Sequence, residues 1–355
     1  MNLDDRSHME TVDRENMLGH IDALADQFER AWQHARSLPL PESHRAPRQI
    51  VLAGMGGSAI GGDLTAALLA STSPVPFQVV RGYTLPAYAQ GADTLVIASS
   101  HSGNTEETLA AADQALARGV RLLAITTGGA LADHAQQHGY PLWAFTYDSQ
   151  PRAALGWSFG LLLGLAHRLT LAPSLEADLA EGVALLREKR AVYGADSPLR
   201  ANPAKRGAGQ LIGRVPLIFG AGIFEPVARR WKAQFNENAK AWAEFEPLPE
   251  ANHNVVAGLG WPMDHNLMLS AQFITSRQHD HPRVRLRHEL TYQLCLQNGI
   301  MADTFQPEGT SALAQMLHAI QYGDYLTYYT AIATDVDPTG IPQISELKTL
   351  LAERD

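Results

Sequence analysis

Residues 48–63, Arg-Gln-Ile-Val-Leu-Ala-Gly-Met-Gly-Gly-Ser-Ala-Ile-Gly-Gly-Asp, constrain the fold of this chain more than any other stretch. The apolar run from Ile50 to Ala53 reads as a buried parallel strand. It ends at Gly54, and Gly56, Gly57, Ser58 and Gly61 follow where the chain turns into a helix predicted to start near Ala59. A strand, a tight glycine turn and a helix N-terminus leave backbone N–H groups unpartnered at the positive end of the helix dipole. Such a turn suits a phosphate, and Ser58 adds a hydroxyl donor. A dinucleotide fits less well. Gly54-x-Gly56-x-x-Ala59 meets part of the nucleotide fingerprint, which also needs an acidic residue at the end of the next strand. That strand, Phe77 to Val80, ends in Arg81-Gly82. No Gly-Lys-Ser/Thr follows the glycines, so a Walker-type loop is absent as well.

From residue 48 onward the pattern alternates. Strands are predicted at 49–53, 77–81, 94–99, 121–126 and 142–145, and helices at 59–70, 104–118, 130–138 and 153–170. The fold class is therefore α/β, an open doubly wound parallel sheet. After a helix at 176–193 and a Pro/Gly-punctuated stretch from Pro198 to Gly209, the pattern restarts. Val215-Pro216-Leu217-Ile218-Phe219 runs into Gly220-Ala221-Gly222, an echo of the opening strand and turn. Helices at 225–241, 282–297 and 311–333 and strands near 243–246, 267–273 and 301–305 complete a second unit of the same kind. Two units, 1–171 and 172–355, are expected, with one leading helix over 10–37 and a final helix over 342–353. The second turn has no Gly-Gly-Ser, so the first alone is equipped for phosphate.

Composition removes several classes of function. Twenty-eight basic against 37 acidic residues, with no basic run, argues against nucleic acid as a partner. The single cysteine, Cys295, cannot form an intrachain disulfide and fits a reducing cytoplasm, where it reads as a small buried residue. The N-terminus lacks a signal-peptide pattern. The longest apolar stretch, Ala153 to Ala166, is interrupted by Gly156, Gly160 and Gly164 and is too short to span a membrane.

A second loop carries as much as the first. The strand Thr94–Ala98 leads into Ser99-Ser100-His101-Ser102-Gly103-Asn104-Thr105-Glu106-Glu107-Thr108. Helix capping needs one hydroxyl, and this turn offers Ser100, Ser102 and Thr105 beside Gly103. In a 2-1-3-4-5 sheet, strands one and three are neighbours, so both turns can close on one phosphate. Together the loops resemble the sugar isomerase (SIS) domain, a flavodoxin-like fold. Gly-Met-Gly-Gly-Ser-x-Ile-Gly-Gly-Asp narrows the resemblance to the two-domain bifunctional phosphoglucose/phosphomannose isomerase family. Three later stretches are similar to that family and occur in its order: Gln150-Pro151-Arg152-Ala153-Ala154, Phe235-Asn236-Glu237-Asn238-Ala239-Lys240 and Leu248-Pro249-Glu250-Ala251-Asn252-His253-Asn254.

The residues agree with an aldose–ketose isomerase. Such an enzyme needs a carboxylate that reaches two carbons, a cation near the developing oxyanion, and a group for ring opening. Glu237, on a predicted helix among apolar and aromatic residues, is the best base. The resemblance implies that Arg152 stabilises the enediolate and that Gly57, Ser58, Ser100, Ser102 and Thr105 bind the phosphate. It further implies that His253, supplied by the other subunit of a homodimer, and Lys348 assist ring opening. The amides flanking His253 are expected to hold its tautomer. No cofactor or metal is implied, nor a nucleic-acid or membrane partner. Two departures stand out: Val255 where the family usually has Glu, and His101 where it commonly has Tyr, a ring that could contact the anion when protonated. A metal at His279, Asp280, His281, His288 and Glu289 fits poorly, because the spacing is not the helical i, i+4 pair used for zinc. A sugar-phosphate-binding protein without turnover and an amino-sugar phosphate isomerase stay open as alternatives.

Overall fold

The runs predicted as strands pair in parallel throughout. The structure, a computed structural model, describes residues 2–173 and 175–354. In the first unit β1 (Gln49–Gly54), β2 (Phe77–Val80), β3 (Thr94–Ser99), β4 (Arg121–Thr126) and β5 (Leu142–Ala144) lie in the order β2-β1-β3-β4-β5. In the second, β6 (Val215–Ala221), β7 (Glu244–Leu248), β8 (Leu269–Ile274) and β9 (Met301–Phe305) lie in the order β7-β6-β8-β9. The repeat extends to backbone detail: Gly56 and Gly222, each two residues past matching glycines, have φ of 49° and 53°. A side chain is strained at such values, so both turns need glycine.

The leading helix expected over 10–37 is instead three: α1 (Arg6–Val12), α2 (Met17–Asp22) and α3 (Leu24–Ser37). Local side-chain bonds outcompete the helix there. The Asp13 carboxylate accepts from the N–H groups of Met17 and Leu18 at 2.7 and 2.9 Å. Asn16 turns left-handed, with φ of 57°, and caps α2. The first unit continues with α4 (Gly56–Leu69), α5 (Glu106–Ala117), α6 (Gly129–His138) and α7 (Leu155–Arg168). After α8 (Leu175–Tyr193) comes a helix that periodicity missed, α9 (Pro203–Leu211). Asn202 caps it and Pro203 takes its first turn, so what read as linker punctuation is a helix start. The second unit holds α10 (Glu225–Glu237), the short α11 (Met263–Asn266), α12 (Pro282–Gln297) and α13 (Ala312–Ala333), and α14 (Pro342–Ala352) ends the chain.

Alternate residues of the first sheet face opposite layers. Ile50, Leu52, Leu95 and Ile97 join a core with α3 and α7, whereas Val51, Ala53, Val96 and Ala98 pack on α5 and α6. The first of these cores continues into the second unit through Trp231, Phe235 and α13. Every residue of α13 from Leu313 to Ala333 is buried. The glycines that interrupt the 153–166 stretch do not break α7 but let it approach α3. A Cβ on Gly156, Gly160 or Gly164 would come within 2.4, 2.7 and 2.3 Å of Gln27, Ala31 and Ala35. Among the described residues, no helix is long and apolar enough to cross a membrane.

Two expectations follow. Gly160→Leu should lower stability to urea by about 3 kcal/mol, because the α3–α7 contact has no room for a side chain. His318 is buried, with Nδ1 accepting from the Glu308 N–H at 2.8 Å and Nε2 at 2.7 Å from the Tyr193 hydroxyl. Burial lowers its pKa to about 4. The unfolded chain therefore takes up that proton first as pH falls. Stability contributed by the neutral ring is present above pH 6.5 and lost toward pH 4, by about 3 kcal/mol. Unfolding titrations of the wild type and His318→Gln across that range should show the slope flattened in the variant.

Candidate active site

β1 and β3 are paired neighbours with Gly54 opposite Ser99, so the turns that leave them emerge side by side. They touch. The His101 N–H donates to Ser58 Oγ at 3.0 Å, and Ser99 Oγ donates to the Ser58 carbonyl at 3.3 Å. Ser100 Oγ accepts from the Gly103 N–H at 3.1 Å and shares a 2.8 Å bond with Thr105 Oγ1. Ser102 Oγ accepts from the Asn104 N–H at 3.2 Å. These hydroxyls shape the turn but do not cap the helix. Neither α4 nor α5 has a side-chain cap, so two helix N-termini present their first N–H groups at adjoining turns. His101 lies edge-on to Phe145, 5.7 Å between ring centroids. Burial pulls its pKa below the usual imidazole value, which works against a protonated contact to an anion.

The phosphate-type turn also packs on the segment that carries Arg152. A Cβ on Gly57 would stand 3.0 Å from the Pro151 carbonyl and 3.2 Å from the Arg152 nitrogen. Gln27 of α3 steadies that segment, donating to the Ala153 carbonyl and the Tyr147 hydroxyl at 2.9 and 2.8 Å. The Arg152 guanidinium is buried and reaches into the second unit. Nε donates to Asn238 Oδ1 at 2.7 Å, and Nη2 donates to the carbonyls of Pro338 and Thr339, both at 2.7 Å. Only Nη1 is left for Glu237, whose Oε2 lies 3.4 Å away. Burial lowers the Arg152 pKa, and the Glu237 charge opposes that shift. The Glu237 side chain keeps 27% of its surface open, against 2% for Arg152.

Glu237 is the last residue of α10, four residues short of the predicted end. Lys240 explains the early stop. It turns left-handed, with φ of 49°, and Nζ donates to the carbonyls of Glu237, Asn238 and Asp337 at 2.9, 3.5 and 2.5 Å. Burial, then the neighbouring Arg152 charge, lowers the Lys240 pKa to about 8. Beneath Arg152 lies a buried ion pair. Arg230 Nη2 donates to both carboxylate oxygens of Asp324 at 2.9 and 2.8 Å and to the Arg152 carbonyl at 3.2 Å. Gln234 donates to Asp324 at 2.8 Å, and Asn238 donates to Thr327 at 3.1 Å. None of these supporting groups was singled out from sequence. Asp324, one carboxylate in the apolar run of α13, was a visible signal.

His253 and Lys348 stand apart from this cluster. Both are exposed, and among the described residues neither forms a hydrogen bond or ion pair with Arg152 or Glu237. The amides flanking His253 do not hold its ring. Asn252 bonds Thr291 and Arg287, at 2.7 and 3.1 Å, and Asn254 bonds Glu250 and the Val255 N–H, at 3.1 and 2.6 Å. The histidines considered for metal are dispersed. His281 caps α12, accepting from the Arg283 N–H at 3.1 Å, and His279 bonds the Thr310 carbonyl at 3.1 Å. Among the described residues, no group of three or more His, Cys, Asp or Glu is placed to hold a metal ion.

Comparison with known proteins adds to this geometry. The SIS domain family matches residues 45–140, and the family described as bacterial phospho-glucose isomerase C-terminal SIS domain matches 200–351. A bifunctional phosphoglucose/phosphomannose isomerase of Caldicellulosiruptor bescii is 38% identical over 333 residues, covering 93% of this chain and 97% of the relative. One of Aquifex aeolicus is 32% identical over 302 residues, covering 84% and 89%. In three dimensions the chain is similar to a hypothetical protein from Thermus thermophilus, with a TM-score of 0.74, 16% identity and coverage of 98% and 94%. That likeness shows the fold alone.

The Arg230–Asp324 pair should matter for stability before chemistry. Asp324→Asn leaves a buried guanidinium without its counter-charge and should lower unfolding free energy by about 3–5 kcal/mol in urea titration. An unchanged midpoint would mean that the pair does not brace Arg152.

Proposed function

The chain belongs to the bifunctional phosphoglucose/phosphomannose isomerase family, and from that premise we propose how its residues interconvert glucose 6-phosphate or mannose 6-phosphate with fructose 6-phosphate. The observation that carries the reading is a half-open carboxylate, Glu237, facing a buried guanidinium, Arg152, on a segment packed against the glycine turn. The 6-phosphate binds across the two turns, on the N-termini of α4 and α5 with Gly57, Ser58, Ser100, Ser102 and Thr105 around it. Fixing that end sets the sugar's reach, so that C1 and C2 lie at Glu237.

Glu237 removes the C2 proton of the open-chain aldose, leaving a cis-enediolate, and returns it to C1, while the O2 hydroxyl proton passes to O1 and C2 becomes the carbonyl. Negative charge develops on the oxygen of the former carbonyl, and Arg152 Nη1, which faces Glu237 at 3.4 Å, is the donor placed to meet it. The other donors of that guanidinium are engaged with Asn238, Pro338 and Thr339, which holds it in place before substrate arrives. Rotation about C2–C3 presents either face of the enediol to the same carboxylate and so serves both epimers. A protein that only senses sugar phosphates has no use for a base beside an oxyanion donor.

Ring opening requires His253, which in our reading comes from a second copy of the chain. Two features support a homodimer. His253 is exposed, and α14 carries Lys348 with Ile344, Leu347, Leu350 and Leu351 exposed at 41, 57, 45 and 53%. An apolar helix face of this kind suits burial against a partner. We place the enzyme in the cytoplasm.

Glu237→Gln should lower kcat for glucose 6-phosphate and mannose 6-phosphate alike, by about a thousandfold, with fructose 6-phosphate affinity kept. Persistent turnover would assign the base elsewhere. Neither Glu237→Gln nor His253→Ala chains should be active alone. Refolded together in equal amounts, they should regain about a quarter of wild-type activity, because half the dimers then hold one intact site. No recovery would place His253 and Glu237 of one site on the same chain.

A further inference from the structure

The second unit contains a cavity that the isomerase site does not use. In the first unit, α5 and α6 cover one face of the sheet. In the second, α12 covers the matching face, and the chain leaves β9 for α13 in the core on the other side. The space beside α12, over the ends of β8 and β9, stays open as a cavity of about 370 Å³. Its lining includes Phe273, Arg277, Arg285, His288, Tyr292 and Thr304.

His288 is the informative group. It is only 4% exposed, yet neither ring nitrogen has a hydrogen-bond partner. The nearest carboxylate, Asp280, lies 3.9 Å away and is engaged by the Ser276 N–H at 2.7 Å. The ring stands edge-on to Phe273, 5.9 Å between centroids. Leaving a buried polar atom unpaired costs about 1–3 kcal/mol, and a ligand in the cavity would relieve that cost. Burial lowers the ring's pKa to about 4, so it is neutral, with one N–H to donate and one nitrogen to accept.

The charge at the mouth selects the ligand class. Arg277 and Arg285 line the cavity, and among the described residues neither forms an ion pair; Arg285 Nη1 donates to the Arg277 carbonyl. Two guanidinium groups match a dianionic phosphate in charge and in donor geometry. Glu289 is the one carboxylate in the lining and suits a hydroxyl. The loop concerned, between β8 and α12, is the counterpart by sheet position of the hydroxyl-rich loop between β3 and α5. A cavity of this size holds a small metabolite.

We propose that this cavity is a second ligand site, which takes a small phosphomonoester with its phosphate on Arg277 and Arg285 and its polar remainder on His288. The test follows histidine side-chain resonances of the full chain during titration with glycerol 3-phosphate and, separately, inorganic phosphate. The His288 signals are those lost in His288→Asn. Should that variant fail to fold, signals that respond in the wild type and not in Arg277→Ala/Arg285→Ala identify them instead. The proposal expects these signals to move with glycerol 3-phosphate. In the double arginine variant the midpoint should rise about tenfold or more, with isomerase turnover unchanged. Signals that stay still, or a midpoint the same in the arginine variant, would overturn the site. Equal binding of inorganic phosphate and the ester would overturn the ligand class.

Discussion

A guanidinium buried where two folding units meet must have all its donors engaged or face an open ligand site. Arg152 meets that demand with groups from two stretches of the second unit. Asn238 comes from the end of α10, Pro338 and Thr339 from the chain before α14, and Glu237 faces the remaining nitrogen. Those bonds fix the C-terminal end of the first unit against the second. The Arg230–Asp324 pair lies under the same backbone and ties it to α13, whose burial joins the two cores. Placement of the carboxylate thus follows from satisfying a cation.

The paired turns, the proposed phosphate end, have a different origin. Parallel pairing of β1 with β3 puts two strand-to-helix turns next to each other, and the Ser58 and Ser99 hydroxyls then link them. Glycine at the close approaches then permits the arrangement: a Cβ on Gly54 would meet the Ser99 carbonyl at 2.8 Å, and one on Gly57 would press on Pro151 at 3.0 Å. The hydroxyls bond mostly within the turns. In the proposed site a phosphate at that end would therefore be held by the helix N-termini, which suits a chain whose overall charge is -9.

Much of this was legible in residues because its signals are local. Runs such as Ile50–Ala53 and Thr94–Ser99 are apolar and bounded by turn residues, and they form the strands read from them. The repeat of Gly54-x-Gly56 as Gly220-x-Gly222 returned as the same positive φ. Features that depend on competition or on backbone acceptors were hidden. Asp13 and Asn16 interrupt an otherwise good helical pattern, and Asn202 begins α9 inside what looked like a linker. The carbonyls of Pro338 and Thr339 leave no mark in a sequence, so the seat of Arg152 could not be read. The amides beside His253 look from sequence like its holders, but they bond Thr291, Arg287, Glu250 and Val255. The cavity beside α12 follows from a helix the second unit lacks, which no single residue announces.

In the proposed reaction one substrate spans the paired turns and the Arg152–Glu237 cluster. A crystal structure with arabinonate 5-phosphate, whose carboxylate imitates the enediolate, tests it most directly. Phosphate oxygens should lie on the N–H groups of α4 and α5, the ligand carboxylate on Arg152 Nη1, and Glu237 within about 3 Å of the reacting end. A phosphate bound away from those turns, or a carboxylate out of reach of Arg152, would contradict it.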